Sequence, residues 1–203
     1  MRGSTPIIGR VTDHHPARGR PSAVDREAVA ATAIALFGER GYDAVSMDDI
    51  AQAAGVSRRS LFRHFASKAE LIWDGFAPVM RARDESLQGA ASVTPFDALA
   101  RASLAGVEAL PDLAMTRTRL RVIAAHPELI AFGSGPMHSG SRALVEHLRG
   151  RGIEPLAARL LADGFTIAVL NAYLAWATET TDASPRPTLE RALALLANLG
   201  ELA

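Results

Sequence analysis

The segment from Ser46 to Phe65, SMDDIAQAAGVSRRSLFRHF, admits few folds. Ser46 stands before a run holding Met47, Ile50, Ala51 and Ala54, and its hydroxyl can take a free amide of a first helical turn. Asp48 and Asp49 in that turn suit the positive end of a helix dipole. Gly55 breaks the run, and Ser57 caps a second helix that reaches Phe65. Two short helices joined by a glycine turn make a helix-turn-helix. Gly55 supplies the permissive backbone, while Ala51 and Ala54 are small enough for a close crossing. Val56, Leu61 and Phe65 anchor the second helix inward, which leaves Arg58, Arg59, Ser60, Arg63 and His64 facing outward. A helix roughly 10–12 Å across fits the major groove of B-DNA, about 12 Å wide. The start of such a helix is where side chains meet base edges. Many helix pairs bind nothing, so the surroundings must decide.

Charge is the first of those surroundings. The chain carries 22 basic and 22 acidic residues and has a formal net charge of zero, which excludes a disordered polyelectrolyte and a uniformly basic nucleic-acid coat. Locally the balance fails. Residues 1–20 hold four arginines against one aspartate, with His14 and His15 beside them. Residues 57–68 hold Arg58, Arg59, Arg63 and Lys68 and no acid. Such patches suit a polyanion-contacting surface; a solvated helix face is the plainer alternative. Cysteine is absent, so disulfides, thiolate metal sites and cysteine nucleophiles are excluded.

Helix is the expectation almost throughout, because alanine is about a fifth of the chain and alternating β-branched runs are scarce. A first helix runs from about Val24 to Arg40, with Val29, Ala33, Leu36 and Phe37 on one apolar stripe and Gly41 as its stop. A fourth is capped by Ser67 with Glu70 completing a capping box, and continues to about Leu87 with Pro78 as a kink. Later helices fall at about 95–109, 112–125, 127–152 with a break near Gly133–Gly140, 155–180 and 187–201. About nine helices result. The most apolar stretch, Gly164–Thr178, spans about 15 residues and is too short for a membrane span of ~20. No secretory leader is evident at the N-terminus. A soluble, cytoplasmic protein is expected.

The run GERGYDAVSMDDIAQAAGVSRRSLFRHFASKAELI, with its glycine, capping serines, aromatic pair and lysine at fixed spacing, resembles the DNA-binding domain of TetR family transcriptional regulators. The resemblance covers about residues 24–72, and the helical remainder fits in kind. It implies an all-α fold: an arm over 1–22, a helix-turn-helix domain over 23–68, and a ligand-binding and dimerisation domain over 69–203. It further implies a homodimer that binds palindromic double-stranded operator DNA at the nucleoid and leaves it when a small-molecule effector enters. By matching position, Ser46 would donate to a phosphate. Arg58 and Arg59 would meet base edges, assisted by Ser57, Ser60 and Arg63. Many members have tyrosines where this chain has Phe62 and His64. Phe62 has lost the phenolic donor and would pack or touch a thymine methyl, while His64 would donate to phosphate. Lys68, the chain's only lysine, resembles the family's phosphate-binding lysine. Arg18 and Arg20 suit an arm entering a minor groove, or a solubilising tail.

The C-terminal half is less legible. Leu170, Tyr173, Leu174 and Trp176, with Leu189, Leu193 and Leu196, make two apolar helices that would form a four-helix dimer interface or close the monomer core. Phe96, Leu99, Met115, Leu120, Ile123, Phe132, Met137 and Phe165 would line an apolar cavity or serve as core, with His126 or His138 orienting a ligand. Arg117, Arg119 and Arg121 would meet an anionic ligand or face solvent. SRRSLFRHFASKAELIWDGF and RLRVIAAHPELIAF are similar to stretches in mycofactocin-type actinobacterial members, which would imply an acyl-coenzyme A or another long, partly anionic effector. No GxSxG, HExxH, GxxxxGK[ST] or GxGxxG occurs, and FGSGPMHSGS is explained as a helix break. Neither an enzyme, a cofactor nor a metal is expected. A helical small-molecule binder without DNA function, or an activator of the same fold, is the alternative.

Overall fold

A computed structural model describes residues 25–88, 93–179 and 183–198, giving the backbone alone over 134–140. The arm with Arg18 and Arg20, and the side chains of Met137 and His138, lie outside the described residues. The described residues form ten helices and no strand: α1 Arg26–Arg40, α2 Met47–Ala53, α3 Arg58–His64, α4 Lys68–Asp74, α5 Ala77–Gln88, α6 Pro95–Glu108, α7 Leu113–Ala125, α8 Pro127–Gly150, α9 Pro155–Thr178 and α10 Arg186–Ala197.

Side-chain caps set most of the starts. Asp25 accepts from the amides of Glu27 and Ala28 before α1, and Thr94, Asp112 and Glu154 do the same work for α6, α7 and α9. Ser46 and Asp49 form a reciprocal capping box on α2. At α4 the box is displaced: Ser67 Oγ accepts from the Glu70 amide, but the Glu70 carboxylate reaches past Ser67 to the Ala66 amide at 2.7 Å. Glutamate is one methylene longer than aspartate, and it closes one residue further back.

The long helix expected over 68–87 is two helices. Proline has no amide to give the carbonyl four residues earlier, and its ring clashes with that carbonyl. Pro78 therefore ends α4 at Asp74 and sits in the first turn of α5, where no amide is needed. The break expected near Gly133–Gly140 is absent, since α8 runs through it. Gly133 serves packing instead: a Cβ there would stand 2.1 Å from Trp73 Cζ2.

One apolar cluster extends from Val29, Ala33, Ile34 and Phe37 of α1 through α4–α10. Leu36 of the expected stripe is only half-buried, and Ile34 takes its place. Helix α9, at 24 residues, is longer than the apolar stretch read from sequence, and is long and apolar enough to cross a membrane by length and composition. Its face bearing Ala158, Ala162, Phe165, Ala172 and Trp176 is buried against α7, α8 and α10.

Candidate nucleic-acid interface and apolar cavity

The α2–α3 pair is fixed by backbone and core together. Gly55 takes φ +65°, a left-handed turn that a β-carbon disfavours. Ile50, Leu61 and Phe65 are fully buried beneath it, and Val56 is half-buried. Outside, Arg58, Arg59, Phe62 and Arg63 are exposed, with Ser46 and Ser57 exposed and Ser60 half-buried beside them. The two central arginines differ. Arg58 Nε lies 3.0 Å from Asp48 Oδ1 and its guanidinium sits over the Phe62 ring. Arg59 makes no hydrogen bond or ion pair among the described residues. An exposed ion pair contributes about 0–1 kcal/mol, so Asp48 restrains Arg58 without disabling it. The Ser46 hydroxyl and amide bonds hold the Asp49 carboxyl below its ordinary value, keeping the box ionised.

His64 departs from its expected place. It is half-buried, with Nε2 enclosed and lacking a hydrogen-bond partner, so it does not share the open face of α3. Its carbonyl is held by a residue that the sequence reading missed. Arg26 donates to His64 O at 2.6 Å and to Asp74 Oδ1 at 2.6 Å, and lies over the Phe65 ring. One guanidinium thus ties α1, the last turn of α3 and the end of α4. A cation in the first turn of a helix opposes the dipole, and that was the available signal for a tertiary partner. Lys68 opens α4, where its Nζ donates to Tyr42 O at 2.6 Å and lies 4.2 Å from that ring's centroid. An ammonium has three donors, so two remain.

A cavity of about 70 Å³ lies beneath the α4–α5 turn, walled by Trp73, Phe76, Met80, Arg83, Phe165 and Tyr173 among others. Of the expected pocket residues, Leu120 and Phe165 line it. Leu99 and Ile123 are plain core, and Phe96 packs edge-on against Phe165. Met115 lines an outer groove, and Phe132 is exposed. His126 ends α7, packs at a tilt against the Tyr42 ring and bonds Glu128, away from the cavity. The three alternating arginines all make contacts within the chain, and Arg121 alone stays exposed. Arg117 and Arg121 donate to carbonyls at the end of α9, including Glu179 O and Ala177 O, each at 2.8 Å. Arg119 is buried against Gly75 and Phe76, where desolvation pushes its pKa down to about 10.

The residues expected at a dimer interface are largely turned inward. Trp176, Leu189, Leu193, Tyr173 and Leu170 are buried within the single chain, and Trp176 Nε1 donates to Ala183 O. Leu174 and Leu196 are half-buried. The apolar side chains left open lie on another face: Leu156, Leu160 and Ile167 are 64%, 65% and 50% exposed on α9, with Leu195 at 48% on α10.

Known proteins are similar to this chain in sequence and in fold. Residues 29–72 match the family described as bacterial regulatory proteins, tetR family. The proposed mycofactocin biosynthesis transcriptional regulator MftR of Mycobacterium tuberculosis is 34% identical over 134 residues, covering 65% of this chain and 67% of its own. The HTH-type transcriptional regulator EthR of Mycolicibacterium smegmatis is 31% identical over 145 residues, 67% and 66% of the two chains. The solved TetR transcriptional regulator from Nitrosomonas europaea superposes with a TM-score of 0.58 at 23% identity, covering 85% of this chain and 97% of that one, and shares the fold. The chain belongs to the TetR family of transcriptional regulators.

Proposed function

We propose that the protein is a homodimeric repressor that reads an inverted-repeat operator with α3 and releases it when a small molecule enters the cavity under the α4–α5 turn. The observation that carries this is the open face of α3. Arg59 stands there without a protein partner, flanked by Arg58 and Arg63, on a helix capped by Ser57 and fastened at its far end by Arg26. A bidentate arginine on guanine discriminates by about 1–3 kcal/mol, and Ser46, Ser60 and Lys68 supply phosphate donors around it. Residues 23–68 form the DNA-binding part, and 69–203 sense the ligand and pair the subunits. The exposed stripe Leu156, Leu160 and Ile167 with Leu195 supports a four-helix interface between two copies.

Coupling runs through the turn between α4 and α5. Trp73 and Phe76 face the cavity, Asp74 lies between them, and Asp74 holds Arg26, which holds the end of α3. A ligand that shifts Trp73 and Phe76 favours a dimer whose α3 helices no longer match the half-sites. Such a protein acts in the cytoplasm, on the nucleoid.

Selection from random duplex DNA tests the reading. It should enrich an inverted repeat with half-sites about 34 Å apart, or a multiple of it, occupied by two subunits. An unenriched pool, or one subunit per duplex, would contradict it.

A further inference from the structure

The cavity holds one hydrogen-bonding group with nothing to bond. Tyr173 is on its wall, 5% exposed, and its Oη is enclosed without a partner. Nearly all buried hydroxyls in folded proteins are paired, so an orphan on a cavity wall marks a place where something else belongs. The other polar groups of the wall are engaged. Ser103 donates to Leu99 O at 2.9 Å and Thr166 to Ala162 O at 2.8 Å. Arg83 is bound through Nε and Nη2 to Asp84 Oδ1, at 2.8 and 2.6 Å, so its charge is matched.

We infer that this cavity is a binding site for a small, neutral, mainly apolar carbonyl compound whose oxygen accepts a hydrogen bond from Tyr173. Charge balance selects neutrality. A carboxylate or phosphate would be stripped of water in a space whose single cation already has its acid. Burial raises the Tyr173 phenol above its ordinary value, so the hydroxyl stays a neutral donor at physiological pH. A carbonyl oxygen accepts and brings no proton, so Tyr173 alone satisfies it, whereas an alcohol would also have to donate to a lone pair of Ser103 or Thr166. The volume of about 70 Å³ limits the ligand to a few heavy atoms, and the long, partly anionic effector implied by the mycofactocin-type resemblance does not fit it. The inference deepens the proposed function and rests on it for the effect on DNA.

The test uses three small planar probes of nearly one shape, acetone, acetate and isobutene, titrated calorimetrically into the full chain without DNA. Acetone should bind about five- to tenfold tighter than isobutene, the worth of one hydrogen bond, with acetate weakest. In Tyr173→Phe the advantage of the ketone should vanish, while isobutene keeps its affinity. The melting temperature should hold or rise, since the hydroxyl supports nothing in the free protein. In the unaltered protein, the carbonyl stretch of bound acetone should move to lower wavenumber. Equal binding of acetate, a ketone advantage that survives Tyr173→Phe, an unshifted carbonyl band, or no binding by any probe would overturn the inference. A failure to select operator DNA would instead overturn the regulatory reading and leave the calorimetric result standing.

Discussion

Arg26 and Arg59 divide the labour of the DNA-binding end between a side chain that positions and one that is left free. Arg26 commits Nη1 to His64 O and Nη2 to Asp74, so turning it toward DNA would release α3. It satisfies a carbonyl at the end of a helix of seven residues, where every terminal bond counts. Arg26→Met keeps the aliphatic stem over Phe65 and removes the donors. Because the side chain is 42% exposed, the loss should be modest, about 1–2 kcal/mol in urea unfolding after discounting for solvent screening. DNA affinity should fall as well, although Arg26 touches no DNA in the proposed complex. Unchanged stability together with weaker DNA binding would place Arg26 on the DNA instead.

At the level of elements, what could be read from sequence was what is local. Ser46, Ser57 and Ser67 each cap a helix within three residues, and Gly55 sets a turn within its own backbone, so the helix-turn-helix was legible. The bonds that join elements were not. Trp73 Nε1 reaches Leu129 O, 56 residues away, and Arg26 reaches His64 O across 38. No short window contains both partners, so Gly133 read as a breaker when it is a seat for the Trp73 indole. Gly133→Ala separates the two roles. Helix propensity would favour alanine by about 1 kcal/mol, while forcing a Cβ against the ring costs about 1–3 kcal/mol. Packing should win: the variant should melt lower and its tryptophan emission should shift. A higher melting temperature would return Gly133 to the role of a mere interruption.

Across the whole molecule, apolar periodicity alone leaves open which face of α9 closes the subunit. Apolar spacing in α9 cannot tell the face that closes the subunit from the face that meets a second one, because α9 is apolar on both. Packing of α7, α8 and α10 makes the distinction, covering Trp176 and Tyr173 and leaving Leu156, Leu160 and Ile167 outside. Leu160→Glu should therefore give a folded monomer in analytical ultracentrifugation, with near-native helicity and little operator binding. A dimer that survives this change would move the interface elsewhere.

The central claim is that the exposed end of α3 reads DNA, and Arg59 tests it most directly. Fluorescence anisotropy on the selected duplex, with a scrambled duplex as control, should show a tight complex that weakens with salt. Arg59→Ala should lower the selected-to-scrambled affinity ratio by about 1–3 kcal/mol, or roughly five- to 150-fold, while leaving the melting temperature unchanged. An Arg59→Ala protein that keeps the full ratio would show that α3 is not the reading helix.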